Sequence, residues 1–211
     1  MEPNNPELLV AIGASAGGLE PLEGFFKTIP EDSNLAFFVI QHLSPDYKSL
    51  MNEILARHTS LKINKVEDAM PVEPNNIYLI PAKKEMVIQS GKLKLRDRST
   101  QDQLNRPIDI FFESLALEAG EKGVGIILSG SGSDGARGVV DIHRAGGLVI
   151  VQDQQSAKFP SMPQSAVDSG SVDLELKVEE MYGVLEKYLD NPGNIKAVIP
   201  NARIETDAIA D

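Results

Sequence analysis

Short unbroken apolar runs alternate with amphipathic segments along most of this chain, and that alternation constrains its fold more than any other feature. "LLVAIG" from Leu8, "LAFFVIQH" from Leu35, "GVGIILSG" from Gly123 and "LVIVQD" from Leu148 are short, continuous and rich in Val, Ile and Leu. Runs of this kind predict strands buried on both faces. Between them lie segments of helical period. "GLEPLEGFFKTI" carries Leu19, Leu22, Phe25 and Phe26 on one side. "SPDYKSLMNEILARH" starts at Ser44 with a capping serine and a proline, and "RPIDIFFESLALEAG" stops at Gly120. "DGARGVVDIHRAGG", "MPQSAVDSG" and "VEEMYGVLEKYL" complete the helical set. The expected fold is therefore α/β: a doubly wound, mainly parallel sheet with helices on both faces. "NIYLIP" reads as a further strand, and "EMVIQSGKLKLRD" as an antiparallel hairpin appendage turning at Ser90-Gly91.

One domain is expected over residues 1–189. From Asp190 onward Pro, Gly and Asn break every period, so 190–211 reads as a linker or loose tail. At 211 residues with no cysteine, the chain can bury a core without a disulfide, and it offers neither a thiolate nucleophile nor a sulfur-ligated metal site. No apolar run approaches the roughly 18 residues a membrane span needs, and "MEPNNPE" lacks the parts of a signal peptide. A cytoplasmic location without membrane insertion is the expectation. The formal net charge of −11 opposes nucleic-acid binding.

Ligands of open parallel sheets sit beyond the carboxyl ends of the strands. Four such ends carry polar residues: Ser15 in "GASAGG", His42 in "VIQHLSP", the group Ser131, Ser133 and Asp134 in "GSGSDGARG", and Asp153. A hydroxyl, an imidazole and a carboxylate on one edge are what nucleophilic acyl transfer requires: a serine made reactive by a base, and an acid that orients that base. His58 and His143 fall on helices, where a surface or capping role suffices. "GASAG" also matches the G-x-S-x-G turn by which other hydrolases expose a serine, with the N–H of Ala16 aimed at the developing oxyanion. Ser15 and Asp134 each have a second reading as a helix cap. A rival is a dinucleotide site at "GSGSDG" (Gly130, Gly132, Gly135), with Asp153 at roughly the 20-residue spacing of a ribose-binding acid. Against it, Asp134 would repel phosphate. A noncatalytic domain binding a protein partner through the same edge is the third reading.

Taken together, "VAIGASAGG", "VIQHLSP", "NIYLIPA", "NRPIDIFF", "ILSGSGSDGARG", "AGGLVIVQDQQSAKFPSMPQSA" and "SGSVD" resemble the CheB-type protein-glutamate methylesterases of bacterial chemotaxis, from about Leu8 to Leu189. The resemblance implies a Ser-His-Asp triad in that chain order, at Ser15, His42 and Asp134. It implies backbone oxyanion donors at Ala16 and Ser131, where family members often carry Thr and Met. It implies hydrolysis of glutamate γ-methyl esters on chemoreceptors with release of methanol and, in some members, deamidation of receptor glutamines, with no metal or cofactor. Family members commonly carry an N-terminal receiver domain, absent from these residues. The tail after Asp190 would suit a longer polypeptide that also holds a receiver or the partner methyltransferase.

Overall fold

A computed structural model describes residues 5–41, 48–97 and 106–194. Ten strands run in chain order: β1 (Leu9–Ala14), β2 (Ala36–Gln41), β3 (Lys62–Lys65), β4 (Met70–Pro71), β5 (Asn76–Leu79), β6 (Lys84–Gln89), β7 (Lys92–Asp97), β8 (Gly123–Ile127), β9 (Leu148–Gln152) and β10 (Leu174–Leu176). Six helices accompany them: α1 (Leu19–Lys27), α2 (Lys48–Leu55), α3 (Pro107–Ala119), α4 (Gly138–Arg144), α5 (Ser161–Val167) and α6 (Val178–Leu189).

Seven strands form one sheet in the order β10-β9-β8-β1-β2-β5-β3, and every pairing in it is parallel. The four long apolar runs become its centre, β9-β8-β1-β2, and β2, β8 and β9 are buried along their whole length. Alternate residues face opposite layers. Val10, Ile12, Phe37 and Val39 meet Leu22, Phe25 and Phe26 of α1 and Met181 and Leu185 of α6. Ala11, Phe38 and Ile40 face the layer of Phe111 and Phe112 of α3, Val139 and Ile142 of α4 and Met162 of α5. At one edge, β3 carries Lys62 and Lys65 with both side chains exposed, which discourages further strand addition.

The expected hairpin is present as β6 and β7, joined by Ser90 and Gly91 at φ +52° and +68°, the left-handed pair of a type I′ turn. β4 extends it into a three-stranded antiparallel sheet. It docks on α3, where Glu118 accepts the N–H groups of Ser90 and Gly91 at 2.9 and 2.7 Å. The "NIYLIP" strand belongs to the parallel sheet, between β2 and β3. The expected start of α2 at Ser44 lies outside the described residues. Of the segment read as a tail, residues 190–194 form a turn on α6, in which Gly193 N–H bonds the Tyr188 hydroxyl at 2.9 Å.

Candidate active site

The strand order reverses at β1. The chain leaves β1 for β2 on one side and returns later to β8 on the other, which makes the carboxyl end of β1 the crevice where doubly wound sheets bind ligands. Ser15 occupies that position, immediately after Ala14. Its N–H bonds the Ser129 carbonyl just past β8 at 3.1 Å, and Leu128 N–H bonds the Gly13 carbonyl at 2.9 Å, so the two strand ends are stitched together.

Ser15 does not cap α1. That helix starts at Leu19 with Gly18 at its N-cap, and Ser15 opens the turn before it, its carbonyl accepting Gly18 N–H at 3.0 Å. Gly17 turns the chain at φ +68°, a conformation that side chains beyond glycine rarely adopt. The loop after β8 lies against this turn. A Cβ on Gly130 would stand 3.0 Å from the Ser15 Cβ and inside the Met162 thioether, so only glycine lets the backbone approach so closely. Gly130 is held from the other side as well: its N–H bonds the Phe159 carbonyl at 2.9 Å, and its own carbonyl accepts Met162 N–H and Ser161 Oγ, both at 3.1 Å. Ser131, the next residue, is exposed.

Asp134 is placed by α3. Its Oδ2 accepts Ile108 N–H and its Oδ1 accepts Asp109 N–H, each at 3.0 Å. These are orphan donors of the first helical turn, and Arg106 at the N-cap makes no side-chain cap bond. The Ile108 side chain in turn borders Gly13 of β1, which ties the carboxylate's support to the strand that ends at Ser15. Asp134 thus caps α3 and not α4, the helix it precedes. The start of α4 is held by Asp109, whose Oδ1 accepts the N–H groups of Gly135, Arg137 and Gly138 at 2.9, 3.1 and 3.0 Å. Asp109 Oδ2 is buried without a hydrogen bond, and the Arg106 guanidinium at 3.7 Å is too distant to make one. Burial pushes the Asp109 carboxyl above its ordinary range, and the neighbouring charge of Asp134 adds to the shift, while the hydrogen bonds from Gly138, Arg137 and Gly135 oppose it.

Two residues unremarked in the sequence bind these pieces together. Ser129, fully buried, donates from Oγ to the Ala16 carbonyl and accepts Phe159 N–H, both at 3.0 Å. Gln152, at the end of β9, accepts Ser129 N–H at 2.9 Å. A hydroxyl and an amide at the ends of buried strands were the available signals. For Asp109 it was an acid on the apolar face of a helix.

The other candidates go elsewhere. His42 follows Gln41, the last residue of β2, and lies outside the described residues. His58 sits 3.7 Å from Glu23, and His143 Nδ1 lies 3.1 Å from Asp173 Oδ1. Asp153 closes its own turn, accepting Ser156 N–H at 3.0 Å. The dinucleotide reading meets a physical obstacle. The backbone N–H groups at the start of α4 that would receive a pyrophosphate are already bonded to the Asp109 carboxylate.

Comparisons with known proteins agree with this architecture. Residues 10–185 match the family model of the CheB methylesterase. An uncharacterized 104.1 kDa protein of Rhodobacter capsulatus is 40% identical over 139 residues, 66% of this chain and 14% of that protein. The protein-glutamate methylesterase/protein-glutamine glutaminase of Pectobacterium atrosepticum is 31% identical over 187 residues, 87% of this chain and 52% of that protein. The chain therefore spans about half the length of the latter and much less of the former. The crystal structure of the Thermotoga maritima CheB methylesterase catalytic domain superposes with a TM-score of 0.78 at 27% identity, covering 87% of this chain and 97% of that one.

Proposed function

Because the chain belongs to the CheB methylesterase family, we propose that it is a serine esterase hydrolysing glutamate γ-methyl esters on chemoreceptor-like proteins. The observation that carries the reading is the meeting of Ser15 and the Asp134 loop at the point where the strand order reverses, with Gly130 packed against the serine.

Ser15 Oγ attacks the ester carbonyl carbon while His42 takes the serine proton. The tetrahedral oxyanion is received by the N–H groups of Ala16 and Ser131. The C–O bond to methoxide breaks, His42 returns the proton, and methanol leaves. Water, deprotonated by His42, then attacks the acyl-enzyme and releases the glutamate carboxylate and Ser15. Asp134, with both side-chain oxygens accepting backbone N–H groups, is a fixed acceptor able to hold the imidazole tautomer. The Ala16 carbonyl, anchored by Ser129, fixes the peptide plane next to the donor N–H, so that N–H is oriented before charge develops. The same acyl chemistry on a glutamine side chain releases ammonia, in keeping with the second activity in the name of the Pectobacterium relative. Receptor glutamates of this kind lie on the cytoplasmic side, where we place the protein. Among the described residues no helix is long and apolar enough to cross a membrane.

The test is methanol release from receptor membranes carrying labelled methyl groups. Wild-type protein releases label, and Ser15→Ala does so at least about a thousandfold more slowly while melting like wild type. Equal rates would remove Ser15 from the chemistry.

A further inference from the structure

Among the described residues only two large apolar side chains stand exposed, Leu117 at 85% and Phe159 at 40%. Leu117 lies on α3. Phe159 lies at the crevice itself. Its Cδ2 is 2.8 Å from where a Cβ on Gly17 would stand, and Gly17 is two residues past Ser15. The ring therefore lies against the turn that carries Ser15.

The backbone that carries the ring is held there. Phe159 N–H bonds Ser129 Oγ and its carbonyl accepts Gly130 N–H, so both peptide groups are tied to the loop that frames Ser15. Pro160 follows with its fixed φ, and α5 begins at Ser161. A half-exposed aromatic side chain on an anchored backbone can bury apolar surface on binding with little further loss of backbone freedom. Both conditions for a recognition contact are met: a place on the turn that carries Ser15 and an anchored backbone.

We propose that Phe159 determines recognition of the protein substrate, its ring packing against an aliphatic side chain of the segment that flanks the methylated glutamate. This rests on the esterase reading above. The contact is with the carrier of the ester, not with the ester itself. Its effect therefore falls on protein substrates and much less on a small ester that reaches Ser15 without a flanking segment.

The experiment compares methylated receptor membranes with p-nitrophenyl acetate as substrates of the whole chain. For Phe159→Ala, KM for the receptor ester rises about tenfold while kcat stays within about threefold. The ratio of kcat/KM between receptor ester and p-nitrophenyl acetate falls by the same factor of about ten. Phe159→Gln, which keeps a side chain of some length without the apolar ring, gives the same fall and serves if the alanine variant does not fold. A proportional loss on both substrates, or an unaltered KM, overturns the contact alone. Wild-type protein that leaves receptor esters intact overturns the esterase reading, and this inference with it.

Discussion

Asp134 and Asp109 each hold the backbone of the segment that carries the other. Asp134 accepts the N–H groups of Ile108 and Asp109, and Asp109 accepts those of Gly135, Arg137 and Gly138. The exchange locks the start of α3 to the loop that follows β8, so the carboxylate proposed for the triad is carried on a doubly anchored support.

Asp134→Asn tests both sides of that exchange. An amide keeps one acceptor and turns a donor toward the second N–H group. The variant is expected to lose about 10³-fold or more in turnover through the wrong imidazole tautomer. It is also expected to lose on the order of 1 kcal/mol of stability through the damaged cap. Urea unfolding and methanol release separate the two. Lost stability with turnover near wild type would leave Asp134 as a cap alone.

Asp109 makes stability depend on pH. Its folded carboxyl lies above the ordinary value, chiefly through burial. The folded state thus holds this proton more tightly than the unfolded chain. Its contribution is fully present below about pH 4, the range of an unperturbed carboxyl, and is lost as pH rises through the folded value. In Asp109→Asn the Oδ1 acceptor remains and the titration is gone. The urea midpoint of the variant relative to wild type should therefore rise between pH 4 and pH 7. A constant difference over that range would contradict the assignment.

Ser129→Ala leaves the Ala16 carbonyl and Phe159 N–H without their shared partner. A cost of about 1–3 kcal/mol is expected for buried groups so exposed. The looser Ala16 peptide should lower kcat at least about tenfold. Ser129→Thr, which retains the hydroxyl, should recover most of the rate. An alanine variant with kcat within twofold of wild type would show that the anchor is dispensable.

Gly130→Ala places a methyl group against Ser15 and Met162. The thioether can move, but the turn at Ser15 is tied to the same loop through Ser129. The loop is expected to shift away from Ser15, with a fall of tenfold or more in turnover and a smaller fall in melting temperature. Full activity would mean that the loop adjusts without disturbing the site.

Much of the parallel sheet was legible because strands buried on both faces must be continuously apolar, as β1, β2, β8 and β9 are. Ser90-Gly91 was legible as a turn because few residue pairs accept two left-handed conformations. The short strands β3, β4 and β10 carry too few residues to show a period, and their pairing depends on neighbours distant in the chain. The edge position of Ser15 and Asp134 followed from strand ends alone.

By itself, the sequence determined the alternation of strands and helices, the edge on which polar residues gather, and the small residues around Ser15, since these follow from local period and side-chain size. Only the tertiary structure decided that Asp134 caps α3 and not the helix it precedes, that Asp109 fills the start of α4, and that Ser129 and Phe159 belong beside the crevice. Those are hydrogen bonds and contacts between segments 25 to 113 residues apart. Such pairings are set by how buried donors find acceptors once the sheet has assembled, and no local pattern records them.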